Sequence, residues 1–311
     1  MAEEQPTPPE TILRTPPERF HGLPDYDFSP NYRYLGDKVR LHFVDEGETK
    51  GPKSRPVLMM HGEPSWSYLY RHMIPVVAEH ARVIAPDLIG FGKSDKPSKR
   101  SDYSYANHVR WMSNWFEDLD LKGVVLVCQD WGGLIGLRLV AAYPDRFAGV
   151  VTANTFLPVG GEQPVREEFA QWRDWSLAVP EFPAGQVIQR ATQRELSPEE
   201  VAAYDAPFPD ETYKSGARIF PSLVPTDADD PENAANRAAW EVLSELQIPW
   251  VTAFSDMDPI TRGGDLAFQK RIPGAQGQPH VTLKGGGHFL QEDVPTELSA
   301  VVIDLLRRLD S

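Results

Sequence analysis

The chain has 311 residues, 41% of them hydrophobic and 24% charged, which supplies a sizeable core and excludes a mostly disordered polypeptide. Its 31 basic and 45 acidic residues leave a net charge of −14, which repels phosphate backbones and argues against general nucleic-acid binding. The single cysteine, Cys128, excludes a disulfide framework, a CxxC redox pair and a thiolate zinc cluster.

The opening Met1-Ala-Glu-Glu-Gln-Pro has neither a basic n-region nor an apolar h-region and does not read as a signal peptide. The apolar runs are strand-sized, far short of a membrane span, so a soluble cytoplasmic protein without a membrane partner is expected. Up to Arg19, the residues Pro6, Pro8, Pro9, Pro16 and Pro17 among polar neighbours predict an extended arm. Apolar residues then alternate in Val39-Arg-Leu41-His-Phe43, a half-buried strand. Val57 to Met60, Val83 to Ala85, Val124 to Cys128 and Val150 to Ala153 are short and nearly all apolar, as strands covered on both faces must be. Between them, Val109, Met112, Phe116 and Leu119 recur at helical spacing, and Leu134, Leu137 and Leu139 mark a helix after Gly132-Gly133.

From about 156 to 230 the rhythm breaks. Strand-like runs disappear, and Ser197-Pro198-Glu199-Glu200 carries an N-cap serine, a first-turn proline and a glutamate three residues on, a capping box. This segment reads as a helical cap inserted between residues 1–155 and 231–311, with Asp227 to Pro231 as the connector back. The rhythm then resumes: helix over Ala234–Leu246, strand over Trp250–Phe254, helix over Leu266–Ile272, strand over Val281–Leu283 and helix over Leu298–Leu309. Alternating strands and helices predict an α/β fold with a mostly parallel central sheet wrapped on both faces.

Chemistry concentrates at Val124-Val-Leu-Val-Cys-Gln-Asp130-Trp131-Gly132-Gly133, where an apolar strand runs into a residue followed at once by a helix. That is the pattern of a nucleophile elbow, with Asp130 in place of serine and Cys128 two positions before it. A carboxylate with an unperturbed pKa near ~3.9 is already anionic at neutral pH and attacks without a base. The ester it forms must then be hydrolysed. Asp130 also suits the N-cap of the following helix, so the elbow needs partners. Leu283-Lys-Gly285-Gly-Gly-His288 ends a strand in a glycine run with a late histidine, placed to serve as general base. Asp256 and Asp258 follow another strand, and spacing leaves both as candidates for the acid that orients the imidazole. In Met60-His61-Gly62-Glu63-Pro64 a strand enters a loop whose Glu63 backbone N–H, together with that of Trp131, would form an oxyanion hole.

Together, His61-Gly-Glu-Pro-Ser-Trp-Ser-Tyr-Leu-Tyr-Arg71, Asp87-Leu-Ile-Gly-Phe-Gly-Lys-Ser-Asp-Lys-Pro97, Gln129-Asp-Trp-Gly-Gly133 and Gly287-His-Phe289 resemble a haloalkane dehalogenase of the α/β-hydrolase superfamily. The resemblance runs from about Phe20 to the C-terminus and includes Ala206-Pro-Phe-Pro-Asp210 and Arg218-Ile-Phe-Pro221 in the cap. It implies Asp130 as nucleophile, His288 as base and Asp258 as acid; another branch of the family carries that acid at the position of Asn154, which bears no charge here. It implies the indoles of Trp131 and Trp172 as halide donors, because glutamate at Glu63 has the wrong charge for that task. Trp175, three residues on, could share Trp172's helix face. Phe169, Phe220 and Pro221 resemble lining residues of an apolar pocket. The expected partners are a small halogenated alkane and a halide ion; no metal or other cofactor is called for, and a monomer is expected. An epoxide hydrolase with the same Asp-His-Asp core, using Tyr204 and Tyr213, is the competing enzyme, and a catalytically silent α/β-hydrolase scaffold the competing non-enzyme.

Overall fold

Short all-apolar runs alternating with helical periods are the signature of a sheet buried on both faces, and the chain folds accordingly. The computed structural model describes residues 9–36, 38–48, 55–162 and 164–311. Its strands are β1 (Ile12–Leu13), β2 (Asn31–Tyr34), β3 (Arg40–Glu46), β4 (Val57–Met60), β5 (Val83–Pro86), β6 (Lys96–Pro97), β7 (Val124–Gln129), β8 (Phe147–Ala153), β9 (Trp250–Ser255) and β10 (Val281–Leu283). Eight of them form one sheet in the order β10-β9-β8-β7-β4-β5-β3-β2. Pairing is parallel from β10 through β5; β3 runs antiparallel to both β5 and β2. Every residue of β4, β5, β7 and β9 is buried, which explains their unbroken apolar character.

The helices are α1 (Met73–Ala78), α2 (Tyr105–Asp118), α3 (Trp131–Ala142), α4 (Glu167–Ala178), α5 (Ala184–Ala191), α6 (Pro198–Asp205), α7 (Ser215–Ile219), α8 (Asn233–Leu243), α9 (Gly264–Arg271), α10 (Leu290–Asp293) and α11 (Pro295–Asp310). No helix among the described residues is long and apolar enough to cross a membrane. The expected helix at 234–246 stops at Leu243, where the backbone N–H of Ser244 turns back to the Trp240 carbonyl. Strand β2 carries no apolar alternation and is invisible to pattern reading, because it lies at the sheet edge with Arg33 and Tyr34 exposed. Of the proline arm, residues 1–8 lie outside the described part. The next part is extended, β1 pairing antiparallel with β6 and Arg14 gripping Asp95 through two bonds of 2.7 and 2.8 Å, but the arm ends in a short 3-10 turn over Pro17–Phe20.

Between β8 and β9 the described residues form helices and turns. Helix α6 opens with the expected capping box: Ser197 Oγ accepts from the Glu200 N–H, and Glu200 accepts from the Ser197 N–H. Glu200 also receives Arg71 and Arg194, and both guanidiniums meet the buried carboxylate of Glu292. Tyr204 Oη donates to the same carboxylate. These helices are thus fastened over the sheet's carboxyl edge by a largely buried ion-pair cluster, whose loss on one side would leave an uncompensated charge. The arm adds a strap, since Thr15 Oγ1 and Arg19 Nε donate to the carbonyls of Pro207 and Ala206.

Candidate active site

The turn from β7 into α3 places Asp130 at φ 51° and ψ −128°, a left-handed conformation that a non-glycine residue adopts only where its surroundings impose it. Its carboxylate makes no capping bond to α3, so the N-cap role does not explain it. The helix begins at Trp131, with Gly132 and Gly133 inside its first turn rather than before it. Close approach explains the glycines: a Cβ on Gly132 would lie 2.0 Å from the Met60 carbonyl oxygen at the end of β4. Small residues thus let the helix sit hard against the sheet and aim the Asp130 side chain away from it.

Two chain-distant groups converge on that carboxylate, and a third backs one of them. The Glu63 N–H donates to Asp130 Oδ1 at 2.8 Å, and His288 Nε2 lies 3.4 Å from Asp130 Oδ2. On its other side, His288 Nδ1 lies 3.1 Å from Asp258 Oδ1. His288 is only 7% exposed, as a base working on a water inside a cavity must be, and unlike a solvated loop histidine. Spacing left two acids open, and the loop after β9 separates them. Asp256 turns out to accept the Gly285 N–H at 2.8 Å, whereas Asp258 is buried and faces the imidazole. Asp258 is fixed by the N–H groups of Ile260 (2.8 Å) and Thr261 (3.1 Å) and by the Thr261 hydroxyl.

Electrostatics follow from this packing. Burial disfavours the charged imidazole, but the carboxylates of Asp258 and Asp130 outweigh it and push His288 up to about 10. Burial likewise opposes an ionised Asp258, yet the His288 charge and the Thr261 and Ile260 bonds hold it far below the usual carboxylate range. Glu63 goes the other way. Burial first, then the Asp130 charge, raise its pKa well above the ordinary value, which favours the neutral acid.

Asn154 follows β8 at φ 39°. Its amide donates to Ser255 Oγ (2.8 Å) and to the carbonyls of Gly287 (2.9 Å) and His288 (3.1 Å), so it braces the histidine loop. Gln129, beside the elbow, was not singled out by sequence reasoning; its Nε2 lies 3.1 Å from His288 Nε2 and donates to the His288 carbonyl at 3.2 Å. No pattern rule finds such a residue, because its role depends on a loop 159 positions away.

A cavity of about 630 Å³ opens above these groups, lined by Glu63, Asp130 and His288 at one end and by a largely apolar wall including Trp131, Phe169, Trp172, Trp175, Pro221 and Val224. Phe220 is a correction: it does not line the cavity. It is fully buried behind Trp131, with ring centres 4.6 Å apart, and also contacts Phe91 and His108. Trp131 is thereby wedged between Phe220 and Tyr105, whose rings hold its plane from two sides. Trp172 and Trp175 both reach the cavity, stacked on each other at 5.3 Å. The indole N–H groups of Trp66, Trp240 and Trp250 donate to protein oxygens, whereas those of the cavity tryptophans Trp131, Trp172 and Trp175 have no protein acceptor among the described residues. An anionic carboxylate, a histidine–acid pair and indole donors in an apolar cavity are suited to displacing an anion from carbon and then hydrolysing the resulting ester.

Comparison with known proteins agrees. The family model described as the alpha/beta hydrolase fold matches residues 55–295. A haloalkane dehalogenase of Psychrobacter cryohalolentis is 52% identical over 300 residues, covering 95% of this chain and 98% of the relative. One from Mycolicibacterium paratuberculosis is 47% identical, covering 94% and 97%. Among solved structures, the tetrameric haloalkane dehalogenase DpaA from Paraglaciecola agarilytica superposes with a TM-score of 0.85 at 35% identity, covering 96% of this chain and 97% of that one. The haloalkane dehalogenase DbeA from Bradyrhizobium elkani gives 0.78 at 27%, covering 91% and 99%. The chain belongs to the haloalkane dehalogenases of the α/β-hydrolase fold.

Proposed function

We propose that this protein hydrolyses haloalkanes to an alcohol, a halide ion and a proton through a covalent ester on Asp130. The observation that carries the reading is the Asp130 carboxylate, held by the Glu63 N–H and faced by His288, at the end of an apolar cavity bearing the Trp131 and Trp172 indoles. One carboxylate oxygen attacks the halogen-bearing carbon; the carbon–oxygen bond forms as the carbon–halogen bond breaks and the electron pair leaves with the halide. The two indole N–H groups, donors without acceptor character, receive the departing anion in a site with little competing water. Water then attacks the Asp130 carbonyl carbon, its proton passing to His288, while Asp258 balances the imidazolium charge. The Glu63 and Trp131 N–H groups hold the tetrahedral oxyanion; as it collapses, His288 returns its proton to the leaving alkoxide to give the alcohol, and the new Asp130 carboxylic acid loses a proton to regenerate the carboxylate.

The epoxide alternative needs phenol donors over the opening ring. Tyr204 is fully buried with its hydroxyl committed to Glu292, and neither Tyr204 nor Tyr213 lines the cavity. That favours the halide reading. Incubation with 1-bromobutane or 1,2-dibromoethane, following bromide and acid release, tests it, with styrene oxide in parallel. Bromide release in step with acid is expected; epoxide opening without bromide release would reverse the assignment, and inertness to all three would favour the silent scaffold.

A further inference from the structure

Residues 191–194, at the end of α5 in the cap, do two things at once. Ala191 and Gln193 line the cavity. The same segment is bonded to the loop that carries His288: the His288 N–H donates to the Ala191 carbonyl at 2.8 Å. Gly287 is the point of closest approach, since a Cβ there would lie 2.5 Å from that carbonyl oxygen. The fastening on the other side is a single carboxylate. Asp293, at the end of α10, accepts the N–H groups of Gln193 (2.8 Å) and Arg194 (2.9 Å) on Oδ1 and the N–H of Gly287 (2.7 Å) on Oδ2. Two backbone donors from the cap and one from the residue next to His288 thus share one side chain. Among the described residues none of these three N–H groups has another acceptor, and the Arg194 guanidinium meets Glu292 one position away.

We infer that Asp293 is a positioning residue that ties the cap to the histidine loop and holds His288 in register for attack by water. This rests on the reading of His288 as the base of the hydrolytic step. The two half-reactions should respond differently. Ester formation needs Asp130 and the indoles, which Asp293 does not touch. Ester hydrolysis needs the imidazole within about 3 Å of a water, and a displacement of about 1 Å can slow such a step on the order of a hundredfold. The loop is not held by Asp293 alone, because Asn154 also grips the carbonyls of Gly287 and His288. The effect of losing Asp293 is therefore expected to be partial.

The experiment is rapid quench with 1-bromobutane, following the Asp130-containing peptide by mass spectrometry, in the full-length protein and in Asp293→Ala and Asp293→Asn. The burst amplitude counts correctly folded sites, so a variant that folds poorly loses amplitude without changing rates. For Asp293→Ala the ester is expected to form within about twofold of the parent rate and to decay about tenfold more slowly. Asp293→Asn, which keeps one carbonyl oxygen as acceptor, should fall between. Unchanged decay, or formation and decay slowed equally, would overturn the inference while leaving the function intact. Absence of any ester in the parent protein would instead remove the function on which it rests.

Discussion

Replacing Asp130 by asparagine removes one negative charge at nearly constant size, and so mimics the neutral ester of the proposed mechanism. In the resting protein, burial opposes a charged His288, yet the Asp258 and Asp130 carboxylates push the imidazole up to about 10. The separation of His288 Nε2 from Asp130 Oδ2 is 3.4 Å. At an effective dielectric of about 20, Coulomb's law gives about 5 kcal/mol for two unit charges at that distance, or roughly three to four pK units. Asp258 stays in place and also raises the imidazole, so Asp130→Asn is expected to lower the His288 pKa by more than about one unit without cancelling the whole rise. The ester should do the same, easing loss of the imidazole proton once there is an ester to hydrolyse. NMR titration of the His288 ring, assigned with a His288→Gln variant, measures the shift directly. A change of less than one pH unit would refute the reasoning. The same coupling has a stability consequence. Since the folded pKa lies above the unfolded value of about 6.5, protonated His288 contributes stability that is full below that pH and is lost as pH rises through about 10. Urea unfolding of the parent protein should accordingly show stability falling on the alkaline side, with a smaller limb in Asp130→Asn, where Asp258 alone still raises the imidazole.

Further consequences concern the proposed halide donors, the elbow and the proposed ester. Trp172→Phe should slow bromide release in the burst phase by about tenfold or more, since a hydrogen bond to an ion is worth roughly 1.5–3 kcal/mol, while Trp175→Phe should have a smaller effect. The reverse order in rapid-quench measurements would name Trp175 as the donor. Gly132→Ala places a methyl against the Met60 carbonyl and is expected to cost about 1–3 kcal/mol or more in urea denaturation; a neutral result would contradict the close packing of α3 on β4. His288→Phe should let alkylated Asp130 accumulate, seen as a mass increase on its peptide after exposure to 1-bromobutane. An unmodified peptide despite bromide release would count against the ester route.

Much of the site was legible before any coordinates. Asp130 stands out because a buried strand, a turn and a glycine-bearing helix leave their signature in consecutive residues, and His288 because its strand ends in a glycine run. What stayed ambiguous depended on loop geometry. Asp256 and Asp258 are two residues apart on one loop, and only the N–H groups of Ile260 and Thr261 decide which carboxylate turns inward. Trp172 and Trp175 stack on one helix face and both reach the cavity, so spacing alone could not rank them. Phe220 was misplaced because a buried aromatic behind Trp131 and one on the cavity wall look alike in sequence. Gln129, Asn154 and Asp293 act on the histidine loop from positions 159, 134 and 6 residues away, through backbone groups that carry no side-chain signature. Strand β2 was missed for a related reason: an edge strand with exposed side chains has no apolar period to read.

The central claim is that a carboxylate oxygen of Asp130 bonds to the substrate carbon and leaves with the alcohol, to be replaced from water. A single turnover of a bromoalkane in water enriched in ¹⁸O, followed by mass analysis of both the Asp130 peptide and the alcohol, tests it. The account predicts one heavy oxygen in Asp130 and an unlabelled alcohol. Heavy oxygen in the alcohol with none in Asp130 would mean that water displaces the halide directly, and would contradict it.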